Sequence, residues 1–133
     1  MKYFILFTVL FFSGLNCFSQ QDTTQVKKNE PYNYSSIDKK PEFPGGAGAF
    51  YKYIGNNYRT PSVQGLSGKV YVNFVIEKDG SVVEAKVIRD LGYGTGEEAV
   101  RVLKESPKWS PGMQNGQPVR VMYSLPITIQ SSK

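Results

Sequence analysis

Two runs of alternating apolar residues meet at a turn signal in the segment GKVYVNFVIEKDGSVVEAKVIRD, residues 68–90. Asp-Gly between such runs favours a β-hairpin with a two-residue type I′ turn, so Asp79 and Gly80 are expected to have left-handed backbone angles. If Lys78 lies opposite Ser81, one face of the hairpin carries the pairs Ile76–Val83, Phe74–Ala85 and Val72–Val87. The other face carries the mixed pairs Val75–Glu84, Asn73–Lys86 and Tyr71–Ile88. A hairpin with one dry face must bury that face against other elements.

A third strand is predicted near the end of the chain, where apolar residues alternate with other residues over VRVMYSLPITI, residues 119–129. Pro126 interrupts this run and has no N–H to donate to a neighbouring strand. The strand is therefore expected to lie at an edge of the sheet, at least in its later half.

Helical spacing of apolar residues is found on both sides of the hairpin. The first helix follows Pro44 and is predicted to end in a left-handed turn at Gly55 or the Asn pair behind it; its apolar positions are Ala47, Phe50, Tyr51 and Ile54. The second helix is predicted to begin with a capping box formed by Thr95 and Glu98 and to end before Pro107; its inward positions are Ala99, Val102, Leu103 and Ser106.

These patterns together predict an α+β fold, in which a small antiparallel three-stranded sheet packs against two helices. The elements follow one another in the order helix, hairpin, helix, strand.

The only tryptophan, Trp109, lies where the chain leaves the second helix, and Pro111 is expected to fix the direction of that exit. A lone tryptophan is more often a core residue than a binding platform. We therefore expect Trp109 to pack across the dry face of the sheet, against Val72, Phe74 and Val87. A surface platform is the alternative.

The composition argues against most enzyme chemistries. The chain has no histidine, and its only cysteine, Cys17, lies in the N-terminal apolar run. The commonest general base, the commonest metal ligand and a thiolate site are therefore missing. We expect no catalytic residues, no metal and no cofactor. The net charge of +5 is modest and is interpreted as ordinary surface charge, not as a nucleic-acid-binding surface.

The N-terminal segment MKYFILFTVLFFSGLNCFSQ has the pattern of an export signal. A single cation, Lys2, precedes an apolar stretch, and small residues at Cys17 and Ser19 fit a signal-peptidase site. We predict a signal peptide over residues 1–19; an uncleaved anchor is the alternative, although the apolar stretch is short beside the about 20 residues of a membrane span. Residues 20–40 are polar and aperiodic, which predicts a flexible linker. Residues 41–130 are expected to form the folded domain.

Three segments of the predicted domain carry a family resemblance when taken in order: GKVYVNFVIEKDGSV, then EEAVRVLKESPKWSPG, then NGQPVRVMYSLPITI. Their order and spacing between Pro41 and Gln130 resemble the C-terminal domain of TonB-type energy transducers. The resemblance implies a periplasmic domain that supports energy-coupled transmembrane transport across the outer membrane. It also implies the partner, which is an extended segment of an outer-membrane TonB-dependent receptor that adds as a strand beside the last strand.

The partner-binding edge strand expected from the resemblance consists of Val119, Arg120, Val121, Met122, Tyr123, Ser124 and Leu125. Two alternatives stay open. In the first, the chain is a structural or assembly domain of the cell envelope, in which two copies pair through the same edge to form a homodimer. In the second, Pro126 and Arg120 only protect the edge from aggregation. A periplasmic location follows if the signal is cleaved, in which case no membrane anchor is expected; an anchored domain facing the periplasm is the alternative.

Overall fold

The computed structural model describes residues 29–131. The predicted signal peptide and the first part of the predicted linker, residues 20–28, lie outside this range. The strands and helices in chain order are β1 (Tyr32–Asn33), α1 (Ala47–Asn57), β2 (Ser67–Ile76), β3 (Val82–Arg89), α2 (Thr95–Lys104), β4 (Gly112–Gln114), β5 (Gln117–Val119) and β6 (Val121–Gln130). A 3₁₀ helix, Tyr34–Ser36, follows β1 directly. Within this range no helix is long and apolar enough to cross a membrane.

The main sheet has four strands in the order β1-β6-β2-β3. Strands β3 and β6 both pair antiparallel with β2, and β1 pairs parallel with β6. The predicted α+β class and the order helix, hairpin, helix, strand are confirmed, but the sheet is not the three-stranded antiparallel sheet that was expected. The prediction missed β1, which has 2 residues and is too short to show an alternating pattern.

The core lies between one face of the sheet and the two helices. Residues of β2 and β6 that alternate along their strands supply the sheet side, and α1, α2, Phe43 and Trp109 cover it. The fully buried members include Val70, Val72, Phe74, Ile76, Ala99, Val102 and Leu103. The hydroxyl of Tyr53 in α1 donates to the carbonyl of Val102 in α2 at 2.8 Å, which ties the two helices together.

The hairpin register agrees with the prediction only in its middle. The pairs Val72–Val87 and Asn73–Lys86 are as predicted. Beyond them β3 contains two irregularities, and the observed pairs are Val75–Val83, Ile76–Val82 and Tyr71–Arg89. The cause nearest the turn is a bulge at Glu84, whose φ of 51° is unusual for a residue with a side chain.

The turn between β2 and β3 is also longer than predicted. The Gly80 N–H donates to the Glu77 carbonyl at 2.9 Å, and the Glu77 N–H donates to the Ser81 carbonyl at 2.8 Å, so three residues connect the strands. Gly80 has a φ of 87°, but Asp79 does not have a positive φ. The Asp79 carboxylate instead accepts from the backbone N–H and the hydroxyl of Ser81, at 2.9 and 2.6 Å. These features match the usual three-residue hairpin loop, in which a type I turn is followed by a left-handed glycine.

A two-residue type I′ turn does occur, but it joins β4 to β5. Asn115 and Gly116 have φ values of 51° and 74°, and Gln114 pairs with Gln117 across them. Asn-Gly is a strong sequence signal for this turn. The result is a small second sheet between the end of α2 and the start of β6.

The ends of the helices differ from the predictions. Gly94, with a φ of 75°, precedes α2 without any side-chain cap, so the predicted capping box is wrong. Thr95 is the first helical residue, and its hydroxyl donates to the Gly92 carbonyl at 2.7 Å. Glu98 bonds the side chain of Arg101 instead. At the end of α1, none of Gly55, Asn56 and Asn57 has a positive φ and Tyr58 is extended, so the predicted left-handed turn is wrong.

The second part of the predicted linker is structured. Ile37 is buried, with 6% of its surface exposed. The Asp38 N–H donates to the Gln114 side chain at 3.0 Å, and the Lys39 and Met113 backbones exchange hydrogen bonds of 3.0 and 2.9 Å. The flexible-linker prediction is therefore wrong for residues 32–40, which pack against β6 and β4.

Candidate functional site

The outer edge of β6 is the side that faces away from β2. Two hydrogen bonds fix which peptide groups lie on it: the Ser131 N–H donates to the Leu66 carbonyl on the β2 side, and the Arg120 carbonyl accepts from the Tyr32 N–H on the other side, both at 2.8 Å. Peptide groups alternate in direction along a strand. The outward peptide groups of β6 therefore belong to its even-numbered residues, which are Met122, Ser124, Pro126, Thr128 and Gln130.

The position of Pro126 fits this edge. Pro126 lies opposite Tyr71, and its nitrogen is on the outward side, where no bond to β2 is lost. A proline in a strand is tolerated where its missing N–H faces solvent. The expectation of an edge strand in the later half of this segment therefore has a direct geometric reason.

The start of the edge is covered by the chain itself. β1 pairs with β6 at Tyr32–Val121 and Asn33–Met122. From Tyr123 to Gln130, no further strand of the described range pairs with the outer side of β6. The expected free edge over Val121 to Leu125 is thus occupied in its first two positions.

The first two residues of the predicted binding strand do not belong to β6. Val119 ends β5 and pairs with Gly112 in the small second sheet. Arg120 lies between the strands, and its guanidinium bonds the carboxylates of Glu77 at 2.9 Å and Glu84 at 3.0 Å. Arg120 therefore stabilises the hairpin through these two ion pairs and is not a free cation for a partner.

The other five predicted residues alternate between the two faces of β6. Val121 and Leu125 are buried in the core, and Tyr123 is half-buried. Met122 is 41% exposed on the opposite face. Ser124 lies on that same face, and its hydroxyl donates to the Asn73 side chain at 2.7 Å. Only Met122 and Ser124 thus present both an exposed side chain and outward peptide groups.

A groove runs beside the open part of the edge, between α1 and β6. It has a volume of about 270 Å³ and is lined by Tyr51, Ile54, Gly55 and the residues from Leu125 to Thr128. Gly55 has open space around the position where a side chain would begin, and Tyr51 is 59% exposed. The sequence predicts Tyr51 and Ile54 on one side of a helix but does not indicate that they flank the edge.

A second groove of about 260 Å³ continues toward the start of β6. Tyr34, Phe50, Tyr51, Trp109 and Tyr123 are among the residues that line it. Burial, and after it the neighbouring Tyr51 and Tyr34, raise the pKa of the Tyr123 hydroxyl, so Tyr123 in this aromatic wall is uncharged at neutral pH. The two grooves together give the helix side of the β6 edge a mainly apolar, aromatic lining, and Lys40 and Glu42 also line the second groove.

Trp109 supports this wall from behind. It is 6% exposed, and its ring lies 4.8 Å from the ring of Phe50, 5.9 Å from that of Phe74 and 6.3 Å from that of Tyr123, measured between centroids. Of the neighbours predicted for it, Phe74 makes a ring contact, and Phe50 was not foreseen. Trp109 is therefore a core residue, and the half-buried Pro111 follows it at the start of the small second sheet.

Trp109 also holds the turn of the long hairpin. Its backbone N–H donates to the Gly80 carbonyl at 2.8 Å. Lys108 beside it lies 3.6 Å from the Asp79 carboxylate, as an exposed ion pair. The structural residues predicted from the sequence, Trp109, Asp79 and Gly80, thus meet at one place, which the sequence did not indicate.

The opposite edge of the sheet, β3, is built differently. Its two irregularities and the left-handed Glu84 interrupt the row of peptide groups, and Lys86 and Arg89 add charge. Bulges and charges of this kind discourage the addition of another strand. β6 pairs with β2 without a single shift over ten residue pairs, so it is the straighter edge.

Residues 29–131 contain no group of acidic, histidine or cysteine side chains that could hold a metal ion. Nothing in the geometry of the site assigns a cofactor. What the edge offers chemically is a row of backbone donors and acceptors beside an apolar groove.

The sequence matches the family model of the Gram-negative bacterial TonB protein C-terminal domain over residues 62–128, about half of the 133 residues. The C-terminal domain of Helicobacter pylori TonB, solved by NMR in solution, is similar at 21% identity with a TM-score of 0.38; the match covers 65% of this chain and 87% of that chain. No curated protein gives a significant match. The family assignment therefore rests on the matched sequence of residues 62–128.

Proposed function

We propose, for a chain that belongs to the TonB C-terminal family, that the outer edge of β6 binds an extended segment of an outer-membrane TonB-dependent receptor by strand addition. The domain acts as a binding module in the periplasm and not as an enzyme. Its contact with the receptor supports energy-coupled transport across the outer membrane.

The observation that carries the proposal is the contrast between the two edges of the sheet. An edge strand offers unpaired N–H and C=O groups at every second residue, and a partner strand satisfies them. On β6 these groups are in regular order apart from the missing N–H of Pro126 and lie beside an apolar groove, whereas on β3 two irregularities break the order. The β6 edge is therefore the better acceptor for an added strand.

The groove between α1 and β6 supports the same proposal. Side chains of an added strand alternate between its two faces. Those on the helix side would face Tyr51, Ile54 and Gly55, where apolar residues would be removed from water. Backbone pairing provides the affinity of such a complex, and the groove selects among extended segments.

The test uses Ser124, a residue of the open edge whose N–H can be removed without disturbing the β2 ladder. Ser124→Pro removes an outward N–H, whereas Tyr123→Pro would remove an inward one that faces β2. Ser124→Ala is the matched control, because it loses the same 2.7 Å bond to Asn73 but keeps the N–H. Loss of one backbone hydrogen bond of about 1 kcal/mol corresponds to about fivefold in the dissociation constant.

The measurement is calorimetric titration with a peptide that has the sequence of an extended segment of an outer-membrane TonB-dependent receptor from the same bacterium. We expect Ser124→Pro to bind at least about fivefold more weakly than Ser124→Ala, with both variants folded by circular dichroism. Equal affinities would exclude docking at this edge.

Sedimentation velocity on the same samples separates the alternative of an assembly domain. An edge-paired homodimer would show twice the monomer mass in the parent without peptide. Such a dimer would be disrupted by Ser124→Pro and kept by Ser124→Ala.

A further inference from the structure

The segment of residues 29–36, here called the strap, lies on the start of the proposed docking edge. We infer that the strap is an intramolecular competitor, which the partner strand must displace to pair with the whole edge. This inference rests on the proposed function and adds a means of regulating it.

The strap uses the contacts that an added strand would use. The Tyr32 N–H donates to the Arg120 carbonyl at 2.8 Å, which is the first outward acceptor before β6. Asn33 is paired with Met122. The Tyr34 ring lies edge-on to the ring of Tyr123, 4.6 Å between centroids, and lines the groove beside it. The strap is thus a resident strand with its own side chain in the aromatic part of the site.

The part of the edge that the strap leaves open has an incomplete row of backbone donors and acceptors. Beyond Met122, the outward N–H of Ser124 is followed by Pro126, which has none. Two consecutive outward residues with both a donor and an acceptor, Met122 and Ser124, precede the proline. Because the strap lies on the first of these two, a partner that pairs with both has to remove it.

The strap is held more weakly than the segment that follows it. Tyr32, Asn33, Ser35 and Ser36 are exposed, and the side-chain bonds of Asn33 are made to Ser35 within the strap itself. A hydrogen bond from Arg120 to the Asn29 carbonyl joins its beginning to the domain. These contacts are few and exposed to water, where each contributes little.

Ile37 anchors the end of the strap. Its side chain is buried, and Asp38 and Lys39 behind it are hydrogen-bonded to Gln114 and Met113. The strap can therefore leave β6 while the residues from 37 on stay in place. A weakly held segment on a fixed anchor keeps a high local concentration at the edge and still yields to a partner of sufficient affinity.

A reversible lock tests the competition. Asn33 and Met122 are register partners, and neighbouring strands lie within the Cα separation that a disulfide spans. The variant Asn33→Cys/Met122→Cys, made with Cys17→Ser to remove the native thiol, should close the strap when oxidised and release it when reduced. Tyr34→Ala loosens the strap by removing its ring from Tyr123. Tyr93→Ala, at a tyrosine that is 68% exposed, is the control for loss of a surface ring.

The readout is the affinity for the receptor peptide named above. We expect the oxidised lock to bind at least tenfold more weakly than the same protein reduced, and Tyr34→Ala to bind more tightly than Tyr93→Ala. Exchange of the Tyr32 amide hydrogen, followed by NMR, should speed up when peptide is added to the parent. Equal binding by the oxidised and reduced protein, or weaker binding by Tyr34→Ala, would overturn the competition while leaving docking intact. No binding by the parent, the reduced lock or Tyr34→Ala would instead overturn the proposed function, and the competition with it.

Discussion

At Gly80, the addition of a single methyl group should destabilise one specific contact of the fold, that between the hairpin turn and Trp109. A Cβ built on Gly80 would lie 1.9 Å from the carbonyl oxygen of Trp109, a distance that no real Cβ contact shows. The atom in the way belongs to the backbone and cannot rotate aside. Gly80→Ala must therefore push the hairpin turn away from Trp109 or move Trp109 itself.

The expected cost has two parts. The φ of 87° at Gly80 is unfavourable for alanine by about 1–2 kcal/mol. Separating the two backbones breaks the 2.8 Å bond from the Trp109 N–H to the Gly80 carbonyl, which contributes about 0.5–1.5 kcal/mol. Any loosening of the Trp109 ring from the core adds to this. We expect Gly80→Ala to lower the free energy of unfolding by about 2–4 kcal/mol, a large share of the about 5–15 kcal/mol typical of a domain.

Gly116→Ala is the matched control. Gly116 has a φ of 74°, and nothing lies within 4 Å of the Cβ it would gain. Its substitution therefore introduces the same kind of backbone strain, about 1–2 kcal/mol, without a collision. The difference between the two variants measures the contact between the hairpin turn and Trp109.

Urea unfolding followed by far-UV circular dichroism gives both free energies, and the fluorescence of Trp109 gives a local signal, because it is the only tryptophan. The emission of folded Gly80→Ala should shift to longer wavelength, whereas that of Gly116→Ala should not. Free energies of unfolding that agree within about 0.5 kcal/mol would refute the argument, since the collision would then cost nothing.

Three further changes test the core, the pH dependence and the edge. Trp109→Ala should lower the free energy of unfolding by about 3–5 kcal/mol, and a melting temperature within a few degrees of the parent would make the residue a surface platform. Burial, with Glu98 and Asp90 after it, raises the pKa of Tyr58 to about 12. The folded state therefore favours the neutral hydroxyl, and the stabilisation that this gives is complete below pH 10 and lost as the pH rises through about 12. Tyr58→Phe should make the free energy of unfolding, measured with urea, fall less steeply over that pH range. An unchanged slope would contradict the assignment of this shift to Tyr58. Pro126→Ala restores an outward N–H and should increase self-association in sedimentation velocity relative to the control Thr128→Ala. If the variant stays as monomeric as this control, the proline does not protect the edge from self-association.

The long elements could be predicted from the sequence because each repeats its pattern several times. β6 alternates buried and exposed residues from Val121 to Gln130, and α2 places Ala99, Val102 and Leu103 on one buried side. Burial of one face imposes such periods, so the fold class followed from them. The edge position of β6 followed from a single residue, Pro126, because the chemistry of proline is decisive there.

Two similar turn signals gave different turns because tertiary contacts decided between them. Asn115-Gly116 lies at the end of a short hairpin and takes the type I′ form, with the Asn115 N–H donating to the Asp38 carboxylate at 3.2 Å. Asp79-Gly80 is bonded to Trp109 through the Gly80 carbonyl, and the Asp79 carboxylate turns toward Ser81. The local sequence around Asp79 and Gly80 does not indicate the contact with Trp109, which lies far along the chain.

The strap escaped prediction for a different reason. Its paired strand has 2 residues, and most of its side chains are exposed, so neither alternation nor hydrophobicity marks it. The one available signal was the pair Tyr32 and Tyr34, two aromatic residues in an otherwise polar segment. Tyr32 pairs with Val121 and Tyr34 contacts Tyr123, and both of these partners lie far along the chain.

The sheet protects its two edges by different means, and the difference bears on which edge serves a partner. The protection of β3 is built into its backbone at Glu84 and cannot be removed without refolding the strand. β6 has only a missing donor at Pro126 and a short cover over Val121 and Met122. An edge meant only to resist aggregation gains nothing from a cover that comes off, because transient opening exposes it again. The strap, if a partner displaces it as we infer, suits a straight edge that must stay unpaired until that partner arrives.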